Sequence, residues 1–322
     1  MKKYLLWISL ATVIGSCNTE KKESNDALAA PIAEKIADTL SGNRIDNYYW
    51  MKLSDEQKNA EQKDEQTQKV INYLTAENDY LAAKMKHTEA LQKKLYDEMI
   101  GRIKQTDESV PYKDNGYWYY TRYEQGQEYP IYCRKKETME NGEEILLNVN
   151  EMAKGHDYYS ITGLNVSEDN NLLAYAEDSV SRRRYTVYVK NLKTGKLVEE
   201  PVPNTEGDIT WANDNKTYFY TKKDSVTLRS RWIIKHKVGS SYKSDPIVSE
   251  EPDETFYTGI YKTKSKKFLV IWAGSTLTNY YQVLDANTPD GKFKEFTPRE
   301  GGLEYSIDHY QDKFYVVTNW DA

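Results

Sequence analysis

The sequence contains few of the residues that crosslink a secreted protein or form common metal sites. Among its 322 residues are 2 cysteines and 4 histidines, so at most one disulfide bond can form and no zinc-finger spacing occurs. Charges of both signs are interspersed, and 44 basic against 50 acidic residues give a net charge of −6. Because neither a basic stripe nor an RNA-binding aromatic motif is present, we expect no nucleic-acid partner.

The motifs of several enzyme classes are also missing. None of the 16 glycines begins a Gly-x-Ser-x-Gly pentapeptide, the tight turn that presents the nucleophile of an α/β-hydrolase. Ser167–Asn170 lacks the glycine and the terminal glutamate of a calcium loop, and no phosphate-binding glycine loop occurs. The histidines lie far apart along the chain and are predicted to be structural or surface residues: His87, His156, His236 and His309. We therefore expect no metal and no cofactor, and we assign no catalytic residue.

The only long apolar run lies at the N-terminus. Lys2 and Lys3 precede Tyr4–Ile14, which is too short to span a bilayer and is typical of a signal peptide. Ile14-Gly15-Ser16-Cys17 follows and resembles a bacterial lipobox. Residues 1–17 are therefore predicted to be a lipoprotein signal peptide with lipidation at Cys17, which places the protein outside the cytoplasm as a membrane-anchored lipoprotein, in the periplasm or at the cell surface. An ordinary secretory signal with an incidental cysteine is the alternative.

The second cysteine is predicted to be a packing residue. If Cys17 is lipidated, Cys133 has no partner for an intramolecular disulfide. Cys133 lies in the segment EYPIYCRKK, whose composition favours a strand. We expect a small, buried, apolar side chain there and not a nucleophile.

A polar tether over residues 18–30 leads into a helical segment over residues 31–105. Ser54, followed by Glu56 and Gln57, predicts a capped helix start at the head of one charged helical stretch. Apolar residues recur at helical spacing along two faces, which we interpret as ordinary packing faces. These residues are Val70, Leu74, Leu81 and Met85 on the first face, and Leu91, Leu95, Met99 and Ile103 on the second.

Aromatic residues are abundant, with 28 tyrosines, 7 tryptophans and 6 phenylalanines. From residue 106 onward, aromatic strand-like clusters recur about every 46 to 55 residues, the period of four-stranded propeller blades. The aligned positions are Trp118, Leu173, Phe219, Leu269 and Tyr315. Blades are predicted at 109–150, 156–202, 205–250 and 254–300, with a fifth just begun. The fold class is mainly β, an incomplete β-propeller of about four and a half blades over residues 106–322. Because an open propeller leaves strand edges unpaired, we interpret the chain as the front part of a longer protein.

Several segments resemble the oligopeptidase B (protease II) type of the prolyl oligopeptidase family of serine peptidases. The resemblance covers roughly residues 44 to 322 and is carried by RIDNYYWM (Arg44–Met51), VINYLTAENDY (Val70–Tyr80), the stretch from Leu95 to Lys136, GDITWANDNKTYFYTKKDSVTLRS (Gly207–Ser230) and the stretch from Leu284 to His309. One departure is visible: the Ser-Pro-Asp of such blades is Ser167-Glu168-Asp169 here, which we expect to alter a turn and not a site.

The resemblance implies a seven-bladed propeller that caps an α/β-hydrolase domain and acts as a size filter. The catalytic Ser, Asp and His would lie in that domain, C-terminal to this sequence, so the chain is expected to be inactive alone. Its partners would be short peptides, cleaved after Arg or Lys, and its own hydrolase domain. Tyr48, Tyr49 and Trp50 would face that domain. The alternative is a non-catalytic, lipid-anchored propeller that serves as a binding or scaffold module, for which Trp320-Asp321 is a faint WD-like signature.

Overall fold

The computed structural model describes residues 28–322. The predicted signal peptide, Cys17 and most of the tether lie outside the described residues. The chain divides into two compact units, Met1–Ile103 and Lys104–Ala322. We call the described part of the first the helical unit and the second the sheet unit.

The helical unit begins with a small hairpin and continues with helices. Its strands are β1 (Asp38–Leu40) and β2 (Arg44–Asp46), its helices are α1 (Asp55–Asn59), α2 (Glu65–Met85) and α3 (Glu89–Arg102), and its single 3-10 turns are Ser41–Asn43, Tyr49–Met51 and Lys86–Thr88. The predicted capping is confirmed: the Ser54 hydroxyl accepts the backbone N–H of Gln57, whose side chain accepts the N–H of Ser54. The predicted helical stretch is interrupted after α1, because Asp64 caps a new helix by accepting the N–H of Thr67.

The apolar faces of the helices are mostly bare. Only Thr67 and Val70 are buried in α2, and α3 has no buried residue. The remaining members of both predicted packing faces are not covered by other residues of the range 28–322 and are exposed: Leu74, Leu81, Met85, Leu91, Leu95, Met99 and Ile103. The physical reason is that helical spacing places apolar residues on one face whether or not anything covers that face.

The aromatic cluster before α1 is divided between inside and outside. Trp50 is half-buried, with its indole N–H donated to the Glu34 carbonyl and the Lys69 ammonium 4.7 Å above its ring. Tyr48 is 42% exposed. Trp50 is therefore held within the helical unit, whereas Tyr48 remains open to a partner.

The sheet unit consists of antiparallel strands in chain order. Its strands are β3 (Tyr112–Asp114), β4 (Tyr117–Arg122), β5 (Ile131–Lys136), β6 (Glu143–Asn148), β7 (Ser160–Val166), β8 (Leu172–Asp178), β9 (Tyr185–Asn191), β10 (Val202–Trp211), β11 (Thr217–Lys223), β12 (Ser230–Lys237), β13 (Ile247–Glu250), β14 (Tyr257–Lys262), β15 (Phe268–Gly274), β16 (Asn279–Asp285), β17 (Lys294–Glu295), β18 (Tyr305–Tyr310) and β19 (Lys313–Thr318), with helix α4 (Val149–Met152) and a 3-10 turn at Tyr242–Ser244.

These strands form four blades and the first hairpin of a fifth. Blade one is β3–β6, blade four is β14–β17, and β18–β19 begin the fifth. Blades two and three share the long strand β10, whose first part pairs with β9 at Val202 and Thr205 and whose second part, Ile209–Trp211, pairs with β11. The outermost strand of blade two thus runs directly into the innermost strand of blade three. Gly207, with φ +96°, makes the bend between the two parts.

The predicted fold class is confirmed. The five aligned positions, Trp118, Leu173, Phe219, Leu269 and Tyr315, all fall on the second strand of their blade. The first strands of successive blades contact each other, β7 with β10 and β10 with β14, so they form the inner wall of the propeller. Apolar clusters fill the space between sheets, one around Trp211 and Tyr218 and another around Phe219 and Leu269.

Candidate functional site

The inner wall of the sheet unit has two ends with different chemistry. Because neighbouring strands are antiparallel, the turns between the first and second strands of all blades lie at one end, which we call the turn end. The loops between the second and third strands lie at the other end, where each inner strand begins, and we call it the loop end. Each end brings together residues from several blades.

Ion pairs join the blades at the turn end. The Lys262 ammonium of blade four lies 2.7 Å from Glu168 Oε1 of blade two and donates to Asn213 Oδ1 of blade three at 2.9 Å. Lys266 Nζ lies 3.0 Å from Glu168 Oε2 and 2.9 Å from Asp114 Oδ1 of blade one. Glu168 therefore bridges two lysines, and the network connects all four blades.

Burial and pairing act against each other in this network. Burial favours the neutral form of Glu168, but hydrogen bonds and charge from Lys262 and Lys266 outweigh it and hold the pKa of the carboxyl below its usual range. Burial also lowers the pKa of Lys262, although Glu168 opposes that effect. Glu168 lies in the turn as expected, and its side chain is in addition the centre of an inter-blade network.

At the loop end a cavity of about 460 Å³ lies among the loops of blades two and three and the start of blade four. It is lined by Ser181, Arg182, Arg183, Glu206, Lys223, Thr227, Leu228, Ser230 and Tyr257. The buried Lys223 donates to the Arg183 carbonyl at 2.6 Å and pairs with Glu206 at 3.0 Å. The guanidinium groups of Arg182 and Arg183 are exposed and have no partner within residues 28–322.

A second cavity, of about 380 Å³, lies between blades one and two and is rich in tyrosine. Cys133 borders it from β5 and is 1% exposed. Burial, with a smaller contribution from the charge of Glu143, raises the pKa of the Cys133 thiol to about 12. The thiolate that a nucleophile needs is therefore almost absent at neutral pH, in agreement with a packing role.

His236 is held between two buried carboxylates inside blade three. Its ring nitrogens lie 2.8 Å from Asp245 Oδ2 and 3.1 Å from Glu199 Oε2. Burial opposes the charged ring, but the hydrogen bonds and charges of Asp245 and Glu199 prevail and raise the pKa of His236 to about 9. Tyr218 and Tyr220 donate their hydroxyls to the same carboxylates. With both nitrogens engaged, this histidine serves as a structural cation.

The other histidines also lack catalytic geometry. His309 is buried, with Nδ1 2.8 Å from the Ser265 hydroxyl and the ring packed edge-on against Phe268, but no carboxylate orients its other nitrogen. His87 and His156 are exposed. A nucleophile, a base and an orienting acid therefore do not come together in the described part of the chain.

Sequence reasoning did not identify the partners that define these groups. Glu199 and His236 are 37 residues apart, and Glu168 and Lys262 are 94 residues apart. No local spacing signals either pair, and only the packing of blades brings them together. The loop-end cavity does have a local signal in the sequence. In the run Ser181–Arg184, three consecutive basic residues follow a strand end.

No group of histidine, cysteine and acidic side chains that could hold a metal ion occurs among residues 28–322. Over the same residues, no helix combines the length and apolar character needed to cross a membrane.

Comparison with known proteins places this architecture in a family. Residues 30–322 match the family described as "Prolyl oligopeptidase, N-terminal beta-propeller domain". The chain is 37% identical to dipeptidyl aminopeptidase BI of Pseudoxanthomonas mexicana over 97% of its length and 44% of that protein. It is 32% identical to protease 2 of Moraxella lacunata, over 91% of this chain and 42% of that one.

A solved structure agrees with these relatives. Oligopeptidase B from Leishmania major superposes with a TM-score of 0.80 at 27% identity, covering 91% of this chain and 43% of that one. The chain thus spans less than half the length of the relatives it matches. On the match over residues 30–322, the chain belongs to the prolyl oligopeptidase family and carries its N-terminal β-propeller domain.

Proposed function

We propose that this chain is the N-terminal part of a serine oligopeptidase that hydrolyses short peptides. The observation that carries the proposal is the family match over residues 30–322, together with relatives that are peptidases more than twice as long. Hydrolysis would proceed through an acyl-enzyme formed by a serine, with a histidine as base and an aspartate that orients it. We place these three residues in a hydrolase domain outside residues 1–322, since no such set comes together among residues 28–322.

The role of the propeller in this proposal is to restrict substrate size. A ring of blades over an active site admits a flexible peptide and excludes a folded protein. The test is to express the complete reading frame and measure cleavage of one Arg-containing sequence, presented as a free peptide and as a loop of a folded domain. Cleavage of the peptide alone supports the filter, and equal cleavage of both rules it out.

Cleavage after Arg or Lys is the substrate preference we propose. A second candidate, release of N-terminal dipeptides, is favoured by the 37% identity to a dipeptidyl aminopeptidase. Two chromogenic peptides distinguish these two activities. Both are two residues long before the cleaved bond and have Arg at the cleavage site; one has a free amino terminus and the other a blocked one. Turnover of both peptides indicates an endopeptidase, and turnover of the free form alone indicates a dipeptidyl aminopeptidase. Turnover of neither contradicts the proposed function.

In this proposal the exposed apolar face of α3 is covered by the hydrolase domain. Leu91, Leu95 and Met99 of α3 are each about half exposed, and we propose that the hydrolase domain covers them. Hydrogen exchange of α3 should then be slower in the complete protein than in the 322-residue chain. Identical exchange in both would place the contact elsewhere.

We further propose that Cys17 carries a lipid anchor that holds the protein outside the cytoplasm. The support is the sequence around Ile14–Cys17 alone. Mass spectrometry of the mature N-terminus should find a lipid-modified cysteine, and Cys17→Ser should release the protein from membranes. An unmodified N-terminus at another residue would contradict the lipid anchor and indicate an ordinary secretory signal.

A further inference from the structure

We propose that the loop-end cavity binds a carboxylate group of the peptide substrate. This inference rests on the proposed peptidase function and adds to it a chemical preference and the residues that would provide it. The cavity lies where the inner strands of blades three and four begin, at Glu206 and Tyr257, so it is at the loop end of the inner wall.

The first observation is a pair of cations without partners. The other arginines of the sheet unit each donate to a carboxylate or a carbonyl within the described residues: Arg122, Arg134, Arg184, Arg229, Arg231 and Arg299. Arg182 and Arg183 do not, although both line the cavity. Since the chain as a whole has a net charge of −6, two unpaired guanidinium groups side by side are a local exception.

The second observation is that the loop bearing these arginines is held in place. The Asp178 carboxylate, 1% exposed, accepts the backbone N–H groups of Val180, Arg182 and Arg183 at 2.7 to 2.9 Å. Arg183 has φ 51°, a left-handed conformation that costs a non-glycine residue free energy. Strained residues held by their surroundings occur frequently at binding sites.

The third observation is a buried lysine that closes the floor of the cavity. Lys223 is 6% exposed and is fully engaged by the Arg183 carbonyl and Glu206. Glu206 is in turn engaged by Ser230, whose hydroxyl donates at 2.5 Å. The only acid on the cavity wall is therefore already neutralised by Lys223, and the two arginines leave a net positive charge for a ligand.

The remaining wall suits a peptide better than a small inorganic anion. Leu228 and the 55% exposed ring of Tyr257 add apolar and aromatic surface beside the cations. Arginine binds carboxylates through two parallel N–H groups, and an aromatic wall can pack against the adjoining chain. The carboxylate could come from the C-terminus of the peptide or from an Asp or Glu side chain.

The test uses the 322-residue chain and fluorescence anisotropy of one labelled peptide in four forms: Glu or Gln at one position, each with a free or an amidated C-terminus. We expect loss of the bound carboxylate to weaken binding about tenfold, the effect of one charge-assisted hydrogen-bond pair. Added salt should weaken the affinity of the most tightly bound peptide more than that of the other three. If the Glu-to-Gln change weakens binding, the bound carboxylate is the side chain. If amidation weakens binding, the bound carboxylate is the C-terminus.

Matched variants locate the site. Arg182→Gln and Arg183→Gln should each weaken the tight form about tenfold, while Arg184→Gln removes the same charge one residue away and should change nothing. Unchanged thermal melting confirms folding, and the contact of Lys223 survives because it uses a backbone carbonyl. Inorganic phosphate should compete only weakly.

Three results would overturn the inference: equal affinity for all four peptides, equal effects of the three arginine variants, or no binding at all. Cleavage measurements on the complete protein distinguish failure of this inference from failure of the peptidase proposal. If the complete protein cleaves the neutral, amidated peptide as fast as the acidic one, the peptidase stands and this site does not. If carboxylate-dependent binding occurs but no peptide is cleaved, the site stands and the peptidase does not.

Discussion

The two units of this chain use apolar residues in opposite ways. In β11 of the sheet unit, Phe219 is fully buried between blades, whereas in α3 of the helical unit no residue is buried and Leu95 is 47% exposed. Both residues belong to regular periodic patterns in the sequence. The difference teaches that periodicity identifies the type of element and its apolar face, while burial depends on what the rest of the fold supplies.

The largest expected effect comes from the core of the sheet unit. Phe219→Ala should lower the free energy of unfolding of the sheet unit by about 3–5 kcal/mol, because it leaves a cavity among Phe293, Ile233 and Leu269. Leu95→Ala in the helical unit should change stability by less than about 0.5 kcal/mol. Urea denaturation followed by tryptophan fluorescence and circular dichroism measures both. A loss at Leu95 as large as that at Phe219 would mean that α3 is covered in solution.

Glycine-to-alanine substitutions should change stability in opposite directions in the two units. A Cβ at Gly163, where φ is +65°, would collide with the Gly207 carbonyl oxygen, so Gly163→Ala should cost about 3 kcal/mol. Gly101 lies in α3 with open space around it, and Gly101→Ala should stabilise the helix by about 0.5–1 kcal/mol. Thermal melting of each variant provides the check. A tolerated Gly163→Ala would refute the close approach of β7 and β10.

The pH dependence of stability should separate a buried histidine from an exposed one. The pKa of His236 is raised to about 9 by its two carboxylates, so its stabilising contribution is complete below about pH 6.5 and is lost as pH rises through about 9. Between pH 7 and 9.5 the sheet unit should lose about 2 kcal/mol from this source.

Variants assign that loss to a residue. His236→Gln should be less stable at pH 7 and should lack this part of the pH dependence, whereas His87→Gln, in the exposed 3-10 turn after α2, should retain it. Urea midpoints at several pH values give the comparison. A wild-type midpoint that stays constant up to pH 9.5 is incompatible with the proposed charge on His236.

The smallest expected difference concerns ion pairs. Glu168→Gln removes the centre of the turn-end network and should cost about 1–2 kcal/mol, because Lys262 is largely buried and loses its counter-charge. Asp97→Asn breaks the exposed pair with Lys93 and should cost less than about 0.5 kcal/mol. Equal small costs in 0.1 M salt would show that the network at the turn end does not join the blades.

The sequence predicts the blades well because each strand is a local pattern. The positions of Trp118, Leu173 and Leu269 can be aligned from aromatic clusters and turn signals, and the structure puts them on equivalent strands. The capping by Ser54 is likewise local and was predicted correctly. Such features depend on residues within a few positions of each other.

What the sequence did not reveal depends on long-range packing. The sequence indicates only a turn at Glu168, because its partners lie some ninety residues away and in another blade. The exposed state of Leu95 could not be read from its spacing. Arg182 and Arg183 are visible in the sequence, but the cavity that they line also requires Lys223 and Tyr257 from two other blades.

The most direct measurement is labelling with a fluorophosphonate probe that reacts only with an activated serine. The 322-residue chain should remain unlabelled, and the product of the complete reading frame should carry one label at a serine beyond residue 322. Stoichiometric labelling of the 322-residue chain, or no labelling of the complete product, would contradict the proposal that this chain is the propeller part of a serine peptidase.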